Sequence, residues 1–273
     1  MDNINFKKKY GQNFIYDTNL LRAIVNDGEI TKNDEVLEIG VGAGTLTKEL
    51  CYCAKKVVSY EIDVDLKNAI ENTLNKVENS KIIYKDFLKE SNEEINKNFE
   101  KEFKVVANLP YYITTQIIFK LIENECTKSI TIMVQKEVAE RICAKENTED
   151  YGILTIMINS IANTEIKRIV NRKMFIPMPN VDSAIVNIKL NRNKYNILNF
   201  NLFKKIVNSA FNHRRKMLIS NLKTDLSIKK EILENIFIKL NIDFKVRGEA
   251  LSIENFVDLS NEINIIQGEV SYV

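Results

Sequence analysis

The sequence predicts an α/β fold followed by a small all-helical C-terminal domain. Strand-like apolar runs alternate with helical patterns from residue 17 to about 145, which is typical of a parallel sheet with helices on both faces. A glycine-rich turn joins the first of these strands to a helix, as in nucleotide-binding sheets. The alternation stops after two further strand-like runs, and from about Leu198 the pattern is helical. We therefore predict a Rossmann-like domain over 1–195 and a helical domain over 196–273.

The elements follow from hydrophobic periodicity and from the residues that interrupt it. Asp17 or Thr18 is suited to cap a first helix, which carries Leu20, Leu21, Ile24 and Val25 on one face. Further helices are predicted at 44–53, 63–76, 114–123 and 152–161, and 90–102 reads as a solvated connection. Strands are predicted at 35–39, 56–60, 81–85, 104–107, 130–134, 165–170 and 183–190.

Composition excludes several classes of protein. The chain has 45% hydrophobic and 28% charged residues, and its net charge of +2 does not by itself indicate nucleic-acid binding. No apolar run approaches the ~20 residues of a membrane helix, and no apolar segment follows the basic residues near the N-terminus. We expect a cytoplasmic protein without membrane contact. The four cysteines and the single histidine do not have the spacing of zinc-ligand motifs, so no metal is expected.

The glycine turn follows the strand at 35–39. Gly40, Gly42 and Gly44 are spaced Gly-x-Gly-x-Gly, whereas dinucleotide enzymes use Gly-x-Gly-x-x-Gly. Glycines at such a turn let the backbone bend tightly and approach a ligand closely. This spacing weakens the interpretation as a pyrophosphate site.

Acidic residues follow the next two strands. Glu61 is placed to accept hydrogen bonds from the hydroxyls of a ribose, and Asp86 with Phe87 suits an adenine amine and ring. Asp86 taken alone is explained at least as well as a helix N-cap. The glycine turn, Glu61 and Asp86 after successive strands together predict S-adenosylmethionine at the carboxyl ends of a parallel sheet.

A rigid turn follows the fourth strand. Pro110 fixes its own φ and keeps Leu109 out of the α region. Asn108 offers a side-chain carbonyl, Leu109 a backbone carbonyl and Tyr111 a flat aromatic face. Two acceptors beside an aromatic stacking surface suit a planar amine such as that of adenine. A strand-to-helix turn with a core tyrosine explains the same five residues. We assign Tyr112 to packing.

These motifs, in this order, resemble the ribosomal RNA adenine dimethyltransferases of the small-subunit type, the family linked to kasugamycin sensitivity. The resemblance extends over nearly the whole chain. Val41 and Gln116 stand where the family often has proline, and neither removes a functional group. The matching segments are 10–14, 36–44, 61, 86–87, 108–111, 133–139, 151–152, 175–184, 210–216 and 247–252.

The resemblance implies dimethylation of two adjacent adenosines in the 3′-terminal hairpin loop of 16S rRNA, within the small ribosomal subunit or its precursor. It places catalysis at Asn108, Leu109, Pro110 and Tyr111. The predicted cofactor contacts are Asn13, Ile15, Gly40, Gly42, Glu61, Ile62, Asp86, Phe87 and Asn108. Phe175, with Pro177, is a candidate to shape the space for the first methyl group, and a core-packing role for Phe175 fits equally.

Basic groups give the candidate RNA contacts. Residues 201–224 contain lysine and arginine but no acidic residue, with apolar residues near helical spacing. A second group lies at 167–173 and a third at 7–9, and Arg214 is close enough to the apolar edge to be structural. A charge run is usually a solvated face, but three of them beside a base-methylating motif favour RNA. The predicted contacts are Arg172, Lys173, Lys204, Lys205, Arg215 and Lys216.

Alternative functions remain open at this point. A related adenine methyltransferase of large-subunit rRNA shares the catalytic core, and a ribosome-assembly factor for which methylation is a timing signal is compatible with the same residues. A nicotinamide dehydrogenase fits the glycine turn poorly. Nothing in the sequence indicates more than a monomer.

Overall fold

A computed structural model describes residues 13–270, without side-chain detail at 268–270. Contacts divide the chain into two compact units. The first runs to Ala139 and includes Thr164–Leu190, and the second consists of Glu140–Asn163 and the chain from Asn191 onward. The segment 140–163 thus makes most of its contacts within the same unit as the C-terminal part of the chain. The predicted boundary near 195 between the two functional domains stays a prediction.

The sheet is mixed. Its strand order is β4-β3-β2-β5-β6-β9-β7, with parallel pairing from β4 to β6 and antiparallel pairing of β6 with β9. A separate antiparallel pair joins β1 to β8, with Phe14 opposite Ile176. The strands are β1 (Phe14–Ile15), β2 (Glu35–Ile39), β3 (Lys56–Glu61), β4 (Ser80–Tyr84), β5 (Phe103–Asn108), β6 (Thr127–Gln135), β7 (Ala162–Val170), β8 (Phe175–Ile176) and β9 (Ser183–Leu190).

The helices complete the alternation predicted from the sequence. Asp17 caps the first of them by accepting from the Leu20 amide at 2.9 Å. The predicted helix at 63–76 is a 3₁₀ turn, Val64–Leu66, followed by a shorter α-helix, and the predicted connection at 90–102 contains a short helix. The helices are α1 (Thr18–Asp27), α2 (Thr45–Cys53), α3 (Lys67–Thr73), α4 (Asn92–Asn96), α5 (Thr114–Glu123), α6 (Lys136–Ile142), α7 (Ile153–Asn159), α8 (Phe200–Asn212), α9 (Leu218–Leu226), α10 (Lys230–Lys239) and α11 (Ile253–Val270).

The core of the first unit lies between the sheet and its helices. The strands β2, β5 and β6 are almost entirely buried, as expected for strands covered on both faces. On one face, α1 and α2 bury a stripe that includes Leu21, Ile24 and Leu50 against Val36 and Val106. This packing fixes the carboxyl ends of the strands, where the glycine turn and the acidic residues lie.

The second unit is mainly helical. Gly248 approaches α8 so closely that an added Cβ would lie 2.8 Å from the Ala210 carbonyl oxygen. The buried Tyr151 hydroxyl donates to the Leu251 carbonyl at 2.9 Å. Within the described residues, none of the helices combines the length and apolar character needed to cross a membrane.

Candidate active site

A cavity opens at the carboxyl ends of β2, β3 and β5 and beside the turn that follows β4. Each of these segments contributes residues to it, as expected of a ligand site in an α/β sheet. The structure brings together there all the predicted cofactor residues and three of the four predicted catalytic residues. Those lining it are Asn13, Ile15, Gly40, Gly42, Glu61, Ile62, Asp86, Phe87, Asn108, Leu109 and Pro110.

The glycine turn forms one wall of the cavity with exposed main chain. Gly42 has φ +59°, in the left-handed region where residues with a Cβ are strained. A Cβ on Gly42 would also lie 3.1 Å from the ring of Phe14. The turn therefore needs glycine for both backbone conformation and space.

Glu61 connects the glycine turn to the end of β3. It is only 5% exposed, and its Oε2 accepts from the Gly42 amide at 3.0 Å while Oε1 accepts from the Asp63 amide at 2.8 Å. Burial raises the pKa of the Glu61 carboxyl above its ordinary value, and the hydrogen bonds from Asp63 and Gly42 oppose that rise. The Ile62 amide also hydrogen-bonds to this carboxylate, which keeps acceptor capacity for a ligand hydroxyl.

Asp86 has the capping role that the sequence left open. Its Oδ1 accepts from the Leu88 amide at 3.0 Å and caps the 3₁₀ turn Phe87–Lys89. Phe87 is 4% exposed, and its ring meets that of Tyr60 edge to face at 5.4 Å. Since both residues also line the cavity, the cap and a cofactor contact are compatible.

Asn108 has a fixed orientation. Its Nδ2 donates to the Asn13 carbonyl at 2.9 Å, which leaves Oδ1 without a hydrogen bond among residues 13–270. Asn13 and Asn108 both line the cavity. The amide thus presents an acceptor, as predicted, and the N-terminal segment determines which end of the amide is free.

The residues after Asn108 form a stiff turn. The Leu109 amide donates to the Met133 carbonyl at 3.2 Å, while its side chain is 2% exposed. Pro110 is extended, with φ −61° and ψ 129°, and its carbonyl accepts from the Thr114 hydroxyl at 3.0 Å. The rigid geometry predicted from Pro110 is confirmed.

The two tyrosines of the turn differ from the sequence assignment. Tyr112 is 59% exposed and lines the cavity, so its assignment to packing was wrong. Tyr111 is half-buried, its hydroxyl lies 2.8 Å from the Ser183 hydroxyl, and it is not among the cavity-lining residues. Burial raises the pKa of the Tyr111 phenol. A stacking role for Tyr111 stays a prediction.

Sequence reasoning missed other cavity residues, notably Phe14, Tyr60, Leu88 and Lys85. Phe14 and Leu88 carried an available signal, because Phe14 belongs to the matching segment 10–14 and Leu88 follows the segment 86–87. Tyr60 ends the apolar run before Glu61, and Lys85 precedes Asp86, so neither is distinguishable from packing or solvated residues by sequence.

Phe175 is a core residue in this structure. It is 2% exposed and packs in the same cluster as Ile15 and Val170, because β8 pairs with β1 over the sheet. Its packing role is thus observed, and a contact with substrate stays a prediction.

The basic group at 167–173 is partly neutralised. Arg168 forms a bidentate ion pair with Asp27, at 2.6 and 2.7 Å, and Lys167 pairs with Glu165. Arg172 and Lys173 are exposed, although the Arg172 guanidinium also donates to the Asn180 carbonyl. Arg168 is exposed too but is held by Asp27, and RNA contact by Arg172 and Lys173 stays a prediction.

In the second unit, Lys204, Lys205, Arg215 and Lys216 are all exposed. Arg214 is structural, since it donates to the Glu149 carbonyl at 3.2 Å and lies 3.5 Å from the Glu249 carboxylate. The predicted group at 7–9 lies outside the described residues. The described part of the chain contains no cluster of metal-ligating side chains, and no disulfide is formed within it.

Comparison with known proteins decides the family. The model of ribosomal RNA adenine dimethylases matches residues 3–265. The chain belongs to the ribosomal RNA adenine dimethylase family. It is therefore an enzyme of the rRNA adenine dimethyltransferase class, and its fold is that of Rossmann-like methyltransferases.

Relatives within this family are similar over almost their whole length. The chain is 46% identical to the Ribosomal RNA small subunit methyltransferase A of Clostridium botulinum (strain Kyoto / Type A2), with 94% of this chain and 93% of that one covered. It is 43% identical to the protein of that name from Caldanaerobacter subterraneus subsp. tengcongensis, with 95% and 98% covered.

Solved structures of similar enzymes share the fold. A dimethyladenosine transferase from Plasmodium falciparum superimposes with a TM-score of 0.81 at 27% identity, with 92% of this chain and 98% of that one covered. The 23S rRNA methyltransferase ErmE superimposes with a TM-score of 0.71 at 25% identity, with 92% and 100% covered.

Proposed function

We propose that this enzyme transfers methyl groups from S-adenosylmethionine to the N6 amines of two adjacent adenosines. The proposed substrate is the 3′-terminal hairpin loop of 16S rRNA, in the small ribosomal subunit or its precursor, and the enzyme acts as a monomer. Family membership and the relatives named for the small subunit support the substrate. The observation that carries the chemistry is the free Oδ1 of Asn108 at the cavity, with Nδ2 tied to Asn13.

The cavity fits S-adenosylmethionine. The main chain at Gly40 and Gly42 admits a ligand where a Cβ would be strained, and Glu61 has lone pairs for ribose hydroxyls beside it. Asp86, Phe87 and Ile62 line the part suited to an adenine. When bound, the cofactor supplies an electrophilic methyl group on a sulfonium sulfur.

The protein's part in the reaction is positioning and electrostatics. The adenine amine is a poor nucleophile because its lone pair is delocalised into the ring. Acceptors at Asn108 Oδ1 and the Leu109 carbonyl favour a pyramidal nitrogen by taking hydrogen bonds from both N–H groups. No general base is needed before attack, since the proton leaves after the N–C bond has formed.

The second methyl transfer has different requirements. Only one N–H remains after the first transfer, so one acceptor suffices, but the pocket needs room for a methyl group. The target base must leave its stack at a cost of a few kcal/mol, which a hairpin loop reduces relative to a duplex. Stacking on Tyr111 would return ~1–3 kcal/mol.

Undermethylated small subunits provide the test. Incubation with labelled S-adenosylmethionine, followed by primer extension, should locate two adjacent dimethylated adenosines in the 3′-terminal loop of 16S rRNA. The Asn108→Ala variant provides the matched control with strongly reduced turnover. Label incorporated elsewhere in 16S rRNA, or none at all, would contradict the proposal.

A second candidate substrate is large-subunit rRNA, which the similarity to a 23S rRNA methyltransferase favours. The same primer extension on naked 23S rRNA distinguishes the two. A mainly structural role in ribosome assembly predicts instead that Asn108→Ala still supports small-subunit maturation in cells that lack the wild-type enzyme.

A further inference from the structure

Lys120 lies behind the cavity wall that carries Asp86 and Phe87. It comes from α5 and does not line the cavity. Its ammonium donates to the Leu88 carbonyl at 3.1 Å and to the Glu90 carbonyl, and it lies 5.3 Å from the centroid of the Phe87 ring. One side chain thus contacts Phe87, Leu88 and Glu90 in the segment 86–90, which we call the adenine wall.

The adenine wall needs a donor at this point. It is a single 3₁₀ turn, in which the Asp86 carbonyl accepts from the Lys89 amide at 3.1 Å and the Phe87 carbonyl from the Glu90 amide at 3.3 Å. Carbonyl groups at the end of a helical turn have no partner inside it and are satisfied from outside. Lys120 supplies that partner to two carbonyls at once.

The contact extends to the side chain of Asp86. The Leu88 carbonyl accepts from Lys120, and the Leu88 amide donates to Asp86 Oδ1 at 3.0 Å. Asp86 Oδ1 is therefore held by a residue that Lys120 itself restrains. On the other side, the Lys85 ammonium holds the Glu90 carboxylate at 3.1 and 3.3 Å.

We propose that Lys120 is a positioning residue for the cofactor, which holds the adenine wall in the conformation that binds the adenine of S-adenosylmethionine. The inference rests on the proposed function, because it takes the cofactor to be the ligand of this cavity. A preformed wall spares the cost of ordering the segment on binding. Burial lowers the pKa of the Lys120 ammonium, against the attraction of Glu90 and Asp86, which is consistent with a cation enclosed for a structural purpose.

Lys120→Met tests the inference, because methionine keeps the unbranched stem and helix propensity but removes the donors. Calorimetric titration with S-adenosylhomocysteine should give a Kd raised about tenfold. In steady-state methylation, KM for S-adenosylmethionine should rise by a similar factor, with kcat within twofold of wild type. Lys97→Met is the matched control, since Lys97 is 67% exposed and pairs with Glu94 away from the cavity.

The outcomes separate the two proposals. If wild type binds S-adenosylhomocysteine and folded Lys120→Met binds it within twofold, the Lys120 inference fails and the proposed function stands. A fall in kcat with unchanged Kd also overturns the inference. Wild type that does not bind the probe overturns both. Thermal unfolding checks that the variant is folded, and if it is not, Lys120→Gln replaces it, with an expected loss of about threefold in affinity.

Discussion

The cavity of the first unit and the basic surface of the second use polar groups in opposite ways. At the cavity, Glu61, Asp86 and Asn108 are each held by a main-chain hydrogen bond. On the second unit, Lys205, Arg215 and Lys216 are exposed. Held groups act through geometry, so one change there should have a large effect that depends little on salt. Exposed cations act through summed charge, so each should matter little and salt should matter much.

Asn108→Ala tests whether a polar group held in the cavity has a large effect on the reaction. It removes the acceptor proposed for the amine, and we expect kcat to fall by about 10²–10³, the range typical of a lost electrostatic contact. Single-turnover methylation of small subunits measures it. Asn98→Ala is the control, because that side chain donates to main chain near α4 and not at the cavity. Turnover near wild type with intact cofactor binding would contradict the expectation that a single change at the cavity has a larger effect than one at the basic surface.

Glu38 extends the comparison to a group with no access to water. It is 0% exposed, and its Oε2 accepts from the Thr47 and Ser59 hydroxyls at 2.6 and 2.7 Å, while Oε1 has no described partner. Burial raises the pKa of the Glu38 carboxyl from its ordinary 4.5 to about 8, against the two hydroxyl contacts. The folded state therefore keeps the proton at neutral pH.

The sign of the resulting pH dependence follows from linkage. The folded state binds the Glu38 proton more tightly than the unfolded chain, so this contribution to stability is complete below pH ~4.5 and is lost as pH rises towards 8. Glu38→Gln removes that titration. Its stability relative to wild type should rise by roughly 3–5 kcal/mol between pH 5 and 8.5 in urea unfolding. A constant difference over that range would mean that Glu38 is ionised in the folded state.

Gly42→Ala tests how much of the cavity depends on backbone conformation alone. The positive φ costs about 1–2 kcal/mol for a residue with a Cβ, and the Phe14 ring must also shift. We expect S-adenosylhomocysteine binding to weaken by about tenfold. Gly152→Ala is the matched control, because nothing lies within 4 Å of its added Cβ and its φ of −174° is ordinary extended backbone. Equal effects of the two changes would refute the conformational explanation.

The double variant Arg215→Gln/Lys216→Gln tests the basic surface and should have the smallest effect at physiological salt. RNA affinity should fall by several-fold, and the slope of log K against log salt should decrease by about 1.5–2 if both residues contact phosphates. Cofactor binding should not change. Lys230→Gln serves as control, since Lys230 pairs with Glu234 on α10. An unchanged salt slope would exclude these two residues from phosphate contact.

The same contrast explains what the sequence could predict. Strands between turn-forming residues were found to within three residues at each end. Gly40, Glu61 and Asp86 line the cavity, as expected of residues at or just beyond strand ends, and their contact with a cofactor stays a prediction. The two-residue strands β1 and β8 have no periodicity to detect. Whether Tyr111 or Tyr112 lines the cavity depends on the conformation of one 3₁₀ turn. The sequence of two adjacent tyrosines does not predict which of them that turn directs to the cavity.

Long-range contacts were the other limit. The Asn108–Asn13 bond joins residues 95 apart, and the Lys120–Leu88 bond joins residues 32 apart. The sequence singled out Asn13 and Asn108 but not their contact, and Lys120 belongs to no motif. Only the packed sheet brings these pairs within reach, so the contacts themselves had to come from the structure.

The bond between Asn13 and Asn108 also has a consequence for synthesis of the chain. At a translation rate of about 5–20 residues per second, roughly 5–20 seconds pass between the synthesis of Asn13 and that of Asn108. The interval between the synthesis of β1 and that of β8 is longer. The amide of Asn108 is therefore oriented only after most of the first unit has been translated. A nascent chain that stops earlier carries the glycine turn and Glu61 but has no strand partner for β1.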